Sequence, residues 1–204
     1  DYKINIAEKA FKSGGVDYPA GSWIVSDQSG LGDTIEKVAD ELGLDFHGVG
    51  AVPDVPHHEA PAARIGIWVP WADTDMIGWI RLTLDQEKVP YTYLRDEEIK
   101  AGNLNEKVDV ILYGNVLLGV QEQILGIQNP GYPMPFKKTD ATPSHGAPAE
   151  SDDITGGIGW KGLANLQQFV ESGGLFITMG RGSQLALESG LVRNVKRVNR
   201  EDVS

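Results

Sequence analysis

Residues 156–190, GGIGWKGLANLQQFVESGGLFITMGRGSQLALESG, decide the fold, because they spell a helix, a tight turn, a buried strand, a sharp turn and the start of a second helix. Leu163, Leu166, Phe169 and Val170 recur at helical spacing, and Gly173 and Gly174 supply a left-handed stop. Leu175 to Met179 is an apolar run of strand length. Gly180, Arg181, Gly182 and Ser183 stand where that strand ends. In open α/β sheets ligands gather outside the carboxyl ends of the strands, and a glycine-flanked strand-to-helix turn suits a nucleophile or an anion-binding helix start. The turn is therefore the first place to look for a site.

The segments upstream repeat the rhythm. Arg64 to Val69, RIGIWV, is nearly all apolar and bounded by Pro70, as expected of a strand covered on both faces. A helix is expected from about Asp75, with Ile77, Ile80 and Leu84 on one face, ending before Pro90. Tyr91 to Leu94 reads as a second strand, Asp96 as the cap of a helical turn through Ile99, and Val108 to Tyr113 as a third strand. This alternation implies a parallel α/β sheet with right-handed crossovers. Residues 114–155 interrupt it: after a helical turn at Val120 to Ile127 the chain is rich in Pro, Gly, Ser and charge. A loop of that length is an excursion over the surface or a lid over the strand ends. Thr155 is the expected cap of the next helix, Leu191 to Val195 a last strand, and the end beyond it is expected to fray.

Residues 1–47 form an N-terminal extension with a strand at Trp23 to Val25 and a helix capped by Asp33 and stopped by Gly43. Residues 48–63, with three prolines and no periodicity, read as a linker to a main domain at 64–204. The chain starts at Asp1 without an initiator Met, as expected of a piece of a longer protein.

Composition narrows the functions. A formal charge of −11 argues against nucleic acid or an anionic membrane as partner, since phosphates are met by clustered Lys and Arg. With no cysteine there is no thiol nucleophile, disulfide or thiolate zinc site. No apolar run approaches the roughly 20 residues of a membrane span, so no membrane insertion is expected. His57, His58 and Glu59 are adjacent rather than helix-spaced, so no metal site is assigned, and His47 and His145 would join them only if loops converged. Ser183 with His145 is the one hydrolase candidate, but Arg181 and Leu185 stand where a G-x-S-x-G elbow needs glycine. A helix-capping role accounts for Ser183 more simply. The glycines and the Arg181 guanidinium of Gly180 to Ser183 make a candidate anion site. Trp68, Trp71, Trp79 and Trp160 fall at or near strand ends, and Trp71 is a candidate wall of a ligand cleft.

RIGIWVPW, PYTYLRDEEIKAGNL, VDVILYGN and the 156–190 stretch together resemble the class I glutamine amidotransferase-like domain found at the C-terminus of large bacterial zinc carboxypeptidases of the carboxypeptidase A type. The resemblance covers about residues 60–195, and YPAGSWIV is similar to the segment joining peptidase and domain. It implies a flavodoxin-like sheet, mostly parallel, with helices on both faces. Aligning Gln184 and Leu185 with the Gln-Leu that follows the family's elbow puts Gly180 at the Cys position, and no His follows Ser183. The resemblance thus implies an accessory or binding domain with a degenerate site and no catalytic residue. Its partners would be an upstream peptidase domain of the same protein and a second copy of the chain. It implies no cofactor within this chain, zinc only in that upstream domain, and an extracytoplasmic location. A small serine hydrolase and a free-standing ligand-binding module are the alternatives.

Overall fold

The computed structural model describes residues 2–198 and divides the chain into two compact units, residues 1–62 and 63–204. The expected fraying of residues 199–204 lies outside the described residues. No helix among the described residues is long and apolar enough to cross a membrane.

The first unit is built on antiparallel strands β1 (Ile4–Ala7), β2 (Phe11–Ser13), β3 (Val16–Tyr18) and β4 (Trp23–Val25), then helix α1 (Leu31–Leu42) and strand β5 (His57–Glu59). β1 runs between β4 and β5, while β2 and β3 form a separate hairpin. Gly14 and Gly15 make the hairpin turn at φ 58° and 85°, the left-handed pair that a two-residue connection between twisted strands requires. The core is small: Ala7, Ile24 and Val55, with Phe11 packed against them. Two expectations change here. α1 starts at Leu31 behind Gly30, at φ 79°, so Asp33 sits in the first turn and is not the cap. The 48–63 stretch is not a bare linker, because His57–Glu59 pairs with Asn5–Ala7. Backbone hydrogen bonds to β1 hold that strand, so it needs no apolar residue of its own.

The second unit carries the larger core. Its elements are β6 (Ile65–Trp68), α2 (Ile77–Gln86), β7 (Thr92–Leu94), α3 (Asp96–Ala101), α4 (Leu104–Lys107), β8 (Val110–Tyr113), α5 (Val120–Leu125), α6 (Gly159–Glu171), β9 (Leu175–Thr178) and α7 (Gly182–Glu188). The four strands form one parallel sheet in the order β7-β6-β8-β9. Registers such as Ile67 beside Tyr93 and Leu112, and Leu112 beside Ile177, bring apolar residues into rows. Trp68 stacks on Tyr113 with ring centroids 4.1 Å apart, and Tyr113 lies 6.2 Å from Phe176. Ile67, Ile111, Leu166 and Phe169 are fully buried around them, each worth about 1.5–3 kcal/mol relative to exposure. At the amino-terminal edge the Arg64 guanidinium and amide bind the Asp109 carboxylate, with a closest distance of 2.7 Å, and tie the start of β6 to the start of β8.

Several boundaries differ from the sequence expectation for local reasons. Helix α6 starts at Gly159, not at Thr155, because Gly156 and Gly157 hold φ of 80° and 49° and Thr155 is bridged to Ile127. Residues 191–195 form no strand: Gly190 and Asn194 take positive φ, and the Val192 amide donates to Ala186 O, turning the segment back onto α7.

Candidate functional site

Three turns leave the carboxyl edge of the parallel sheet close to chemistry-bearing residues, one after β9 and a pair after β6 and β7. The β9 turn holds Gly180, Arg181, Gly182 and Ser183. The backbone amides of residues 181–184 are engaged within the protein. Arg181 N donates to Asn115 Oδ1 at 2.8 Å, Gly182 N to Met179 O, Ser183 N to Gly180 O and Gln184 N to Arg181 O. The expected amide-lined anion site is therefore closed by its own hydrogen bonds, and α7, at seven residues, is too short to add a strong dipole. Ser183 Oγ donates to Thr178 O at 3.1 Å and accepts from Thr178 Oγ1, so it ties the start of α7 back to the end of β9. It does not make the expected helix cap, since the cap position of α7 is Arg181 and carries no side-chain cap bond. His145 lies in the long loop, stacked on Phe136 at 4.5 Å, and makes no hydrogen bond with Ser183. The structure does not assemble the hydrolase pair.

The other place is built by Trp71, just beyond β6, and by Tyr93 and Arg95, at and just beyond the end of β7. β6 and β7 stay paired one residue past the strands, since Val69 N donates to Leu94 O at 2.9 Å. Asp96 then fixes the corner. Its carboxylate accepts from Trp68 Nε1 at 2.9 Å and from the Trp71 amide at 3.2 Å. Burial holds its pKa above the ordinary carboxylate value, and these two donors partly offset that. Glu97, one residue on, accepts from Trp71 Nε1 at 2.8 and 3.0 Å and from Ser151 Oγ of the long loop. Glu97 thus orients the Trp71 ring, while Asp96 holds its backbone.

Arg95 is the unusual member. Its side chain is 5% exposed, with the guanidinium carbon 3.8 Å from the Trp71 ring centroid and 4.8 Å from that of Tyr93. Nη1 donates to Val69 O at 3.0 Å, while Nε is buried with no hydrogen-bond partner. Burial pulls its pKa below the ordinary guanidinium value, against the pull of Tyr93, Asp96 and Glu97. Arg81 of α2 reaches the same Tyr93 ring, its guanidinium carbon 4.8 Å from the centroid, and bonds Tyr91 Oη through Nε at 3.3 Å.

The long loop covers this place. Phe136 and Ser151 form an antiparallel bridge, Ile154 N donates to Met134 O at 2.9 Å, and Asp153 Oδ1 accepts from the Met134 and Thr155 amides. Those amides hold the Asp153 carboxyl below its usual pKa. The folded-back loop sets Phe136 5.2 Å from Trp71. What remains beneath is a cleft of about 350 Å³, lined by Trp71, Arg81, Tyr93, Arg95, Phe136 and Pro148 among others. A second hollow of about 390 Å³, between α5, α6 and α7, is walled mainly by apolar residues such as Ile124, Trp160 and Leu163.

Of the residues singled out from sequence, Trp71 lines the cleft and Gly180 to Ser183 do not. Arg81, Tyr93, Arg95 and Phe136 escaped notice. Arg95 had one visible signal: a cation directly after a buried strand, LRDEE, where a polar cap would have sufficed. His57 and His58 point their Nδ1 atoms to Val55 O and to Glu8, and among the described residues no group of three or more His, Asp or Glu side chains is placed to hold a metal ion. Comparison with protein-family models, curated proteins and solved structures gives no match.

Proposed function

We propose that the chain is a ligand-binding accessory module on a flavodoxin-like, amidotransferase-like α/β sheet with helices on both faces, and that its site is the cleft beyond β6 and β7. The observation that carries this is Arg95, buried between Trp71 and Tyr93 in a strand-end cleft roofed by a loop, with donor capacity left unused. The strand order supports the flavodoxin-like reading: the second strand lies outside the first, and the third and fourth on its other side. Ligands of such sheets sit outside the carboxyl ends of the strands, and this cleft opens there, beside the switch point between β6 and β8. At roughly 300–1,000 Å³, small-molecule pockets are commonly of this size or larger.

The resemblance adds the setting. With Gly180 at the nucleophile position the amidotransferase-like site is read as degenerate and the domain as non-catalytic, serving a zinc carboxypeptidase encoded upstream. An HxxE zinc motif in the reading frame before Asp1 is expected, and a frame without one removes the peptidase from the proposal.

Binding is tested by ligand-observed NMR with phenylacetate, phenylacetamide and benzyl alcohol. At least one is expected to bind, and Phe136→Ala, which removes a wall of the cleft from the loop, should weaken it about tenfold. No binding by any of the three, or equal binding by the variant, overturns the reading.

A further inference from the structure

We infer that the cleft takes a small organic monoanion, a carboxylate carried on a flat apolar body, with the carboxylate at Arg81 and Arg95 and the body against Trp71, Tyr93 and Phe136. The inference rests on the cleft being a binding site and names the chemistry that the site selects.

The charge balance points this way. A guanidinium taken out of water is costly unless it gains a counter-ion and hydrogen bonds. Arg95, at 5% exposure, has one protein acceptor, the Val69 carbonyl, and a buried Nε with none. Arg81 approaches the same ring, so two like charges converge on Tyr93. The chain carries 29 acidic residues against 18 basic ones, yet neither arginine belongs to any ion pair among the described residues. The nearby carboxylates are held by other donors. Asp96 is taken by Trp68 and the Trp71 amide, Glu97 by the Trp71 indole and Ser151, and Asp85 by Tyr91 Oη. Asp96 and Glu97 thus act on Arg95 only through space, and no protein carboxylate among the described residues bonds either guanidinium in a mostly acidic molecule.

The rest of the cleft selects among anions. A phosphate site draws on clustered free backbone amides. Here the strand-end amides are already engaged, Val69 N with Leu94 O and Trp71 N with Asp96. The remaining walls are chiefly apolar and aromatic, with Val69, Phe136, Pro148 and Ile154 facing the cleft. An arginine fork meets a planar carboxylate in a bidentate manner, and aromatic walls accept a flat body.

Isothermal titration calorimetry with phenylacetate, phenylacetamide and inorganic phosphate tests the inference on the whole chain, on Arg95→Gln and on Arg81→Gln, each shown to be folded by circular dichroism. Phenylacetate is expected to bind at least about tenfold more tightly than its neutral amide, the effect of a charge-assisted hydrogen bond, and more tightly than phosphate. Each substitution should weaken phenylacetate about tenfold and phenylacetamide by less, so that the preference for the acid shrinks. Should Arg95→Gln not fold, Arg81→Gln, on a partly exposed helix position, carries the same comparison. Equal binding of acid and amide overturns the anion assignment while the cleft remains a binding site. Phosphate as tight as phenylacetate, or an acid preference that survives the substitutions, overturns it too. If none of the three binds the unaltered chain, the binding-site reading falls with it.

Discussion

The turn after β9 and the turns after β6 and β7 leave the same edge of one parallel sheet, and they make opposite use of their polar groups. After β9 each amide from Arg181 to Gln184 has a partner inside the protein, and Ser183 returns its hydroxyl to the Thr178 carbonyl. After β7 a guanidinium is buried with Nε unpartnered, next to a second arginine and under a folded-back loop. A glycine-rich turn therefore does not by itself leave its donors free. What distinguishes the two is whether the local backbone can satisfy its own donors. The 180–183 turn is short enough to do so, whereas an arginine between two aromatic rings has no backbone within reach except Val69 O.

The sharpest way to break this contrast is to remove the ring that organises the cleft. Trp71→Ala deletes the indole that stacks on Arg95, contacts Phe136 and binds Glu97, and a loss of about 3–5 kcal/mol in denaturant unfolding is expected for a buried Trp. A loss below about 1 kcal/mol, within the range of an ordinary surface change, would mean that the loop docks without it. Next in size is Gly182→Ala on the other turn. A Cβ there would stand 2.4 Å from the Gly114 carbonyl and 3.0 Å from the Tyr113 ring, so overpacking should cost about 1–3 kcal/mol, read by thermal unfolding. Ligand binding in the cleft should be untouched by this change. Weakened binding would show that the two turns act as one site.

The smallest expected effect lies at the opposite edge of the sheet. The Arg64 side chain and amide hold the Asp109 carboxyl at about 2, below the ordinary value near 3.9. A depressed carboxylate pKa contributes stability that is fully present above the unfolded value and lost as pH falls through the folded one. The melting temperature of Asp109→Asn should therefore lie below that of the unaltered chain by a constant gap above pH ~5, and the gap should narrow towards pH ~2. A gap that ignores pH would show that the Arg64 contact there is packing, not charge.

Much of the second unit was legible in the sequence. The strands at 65–68, 92–94, 110–113 and 175–178 are short apolar runs stopped by Pro, Gly or charge, a signal that parallel strands carry locally. The run at 175–178 is nevertheless not the buried strand expected: at the edge of the sheet it leaves Leu175 and Ile177 exposed. Helix α6 was legible from the period of Leu163, Leu166, Phe169 and Val170. The first unit was less so. His57–Glu59 is polar and exposed, and only its backbone bonds to β1 make it a strand. The hairpin at Phe11–Tyr18 did carry a signal, Gly14-Gly15 between two three-residue runs, which went unread beside the absence of a large apolar pattern.

By itself the sequence determined the alternation of strand and helix, the parallel sense of the sheet and the acidic balance of the chain, because each depends on residues close together or on composition alone. Tertiary structure alone decided the site. Arg81 comes from a helix, Tyr93 and Arg95 from the end of the next strand, and Phe136 from a loop some forty residues later. They meet only because β7 pairs with β6 and the loop folds back onto Trp71. Whether a charge is left unpartnered is a property of everything packed around it, which no local pattern of residues records.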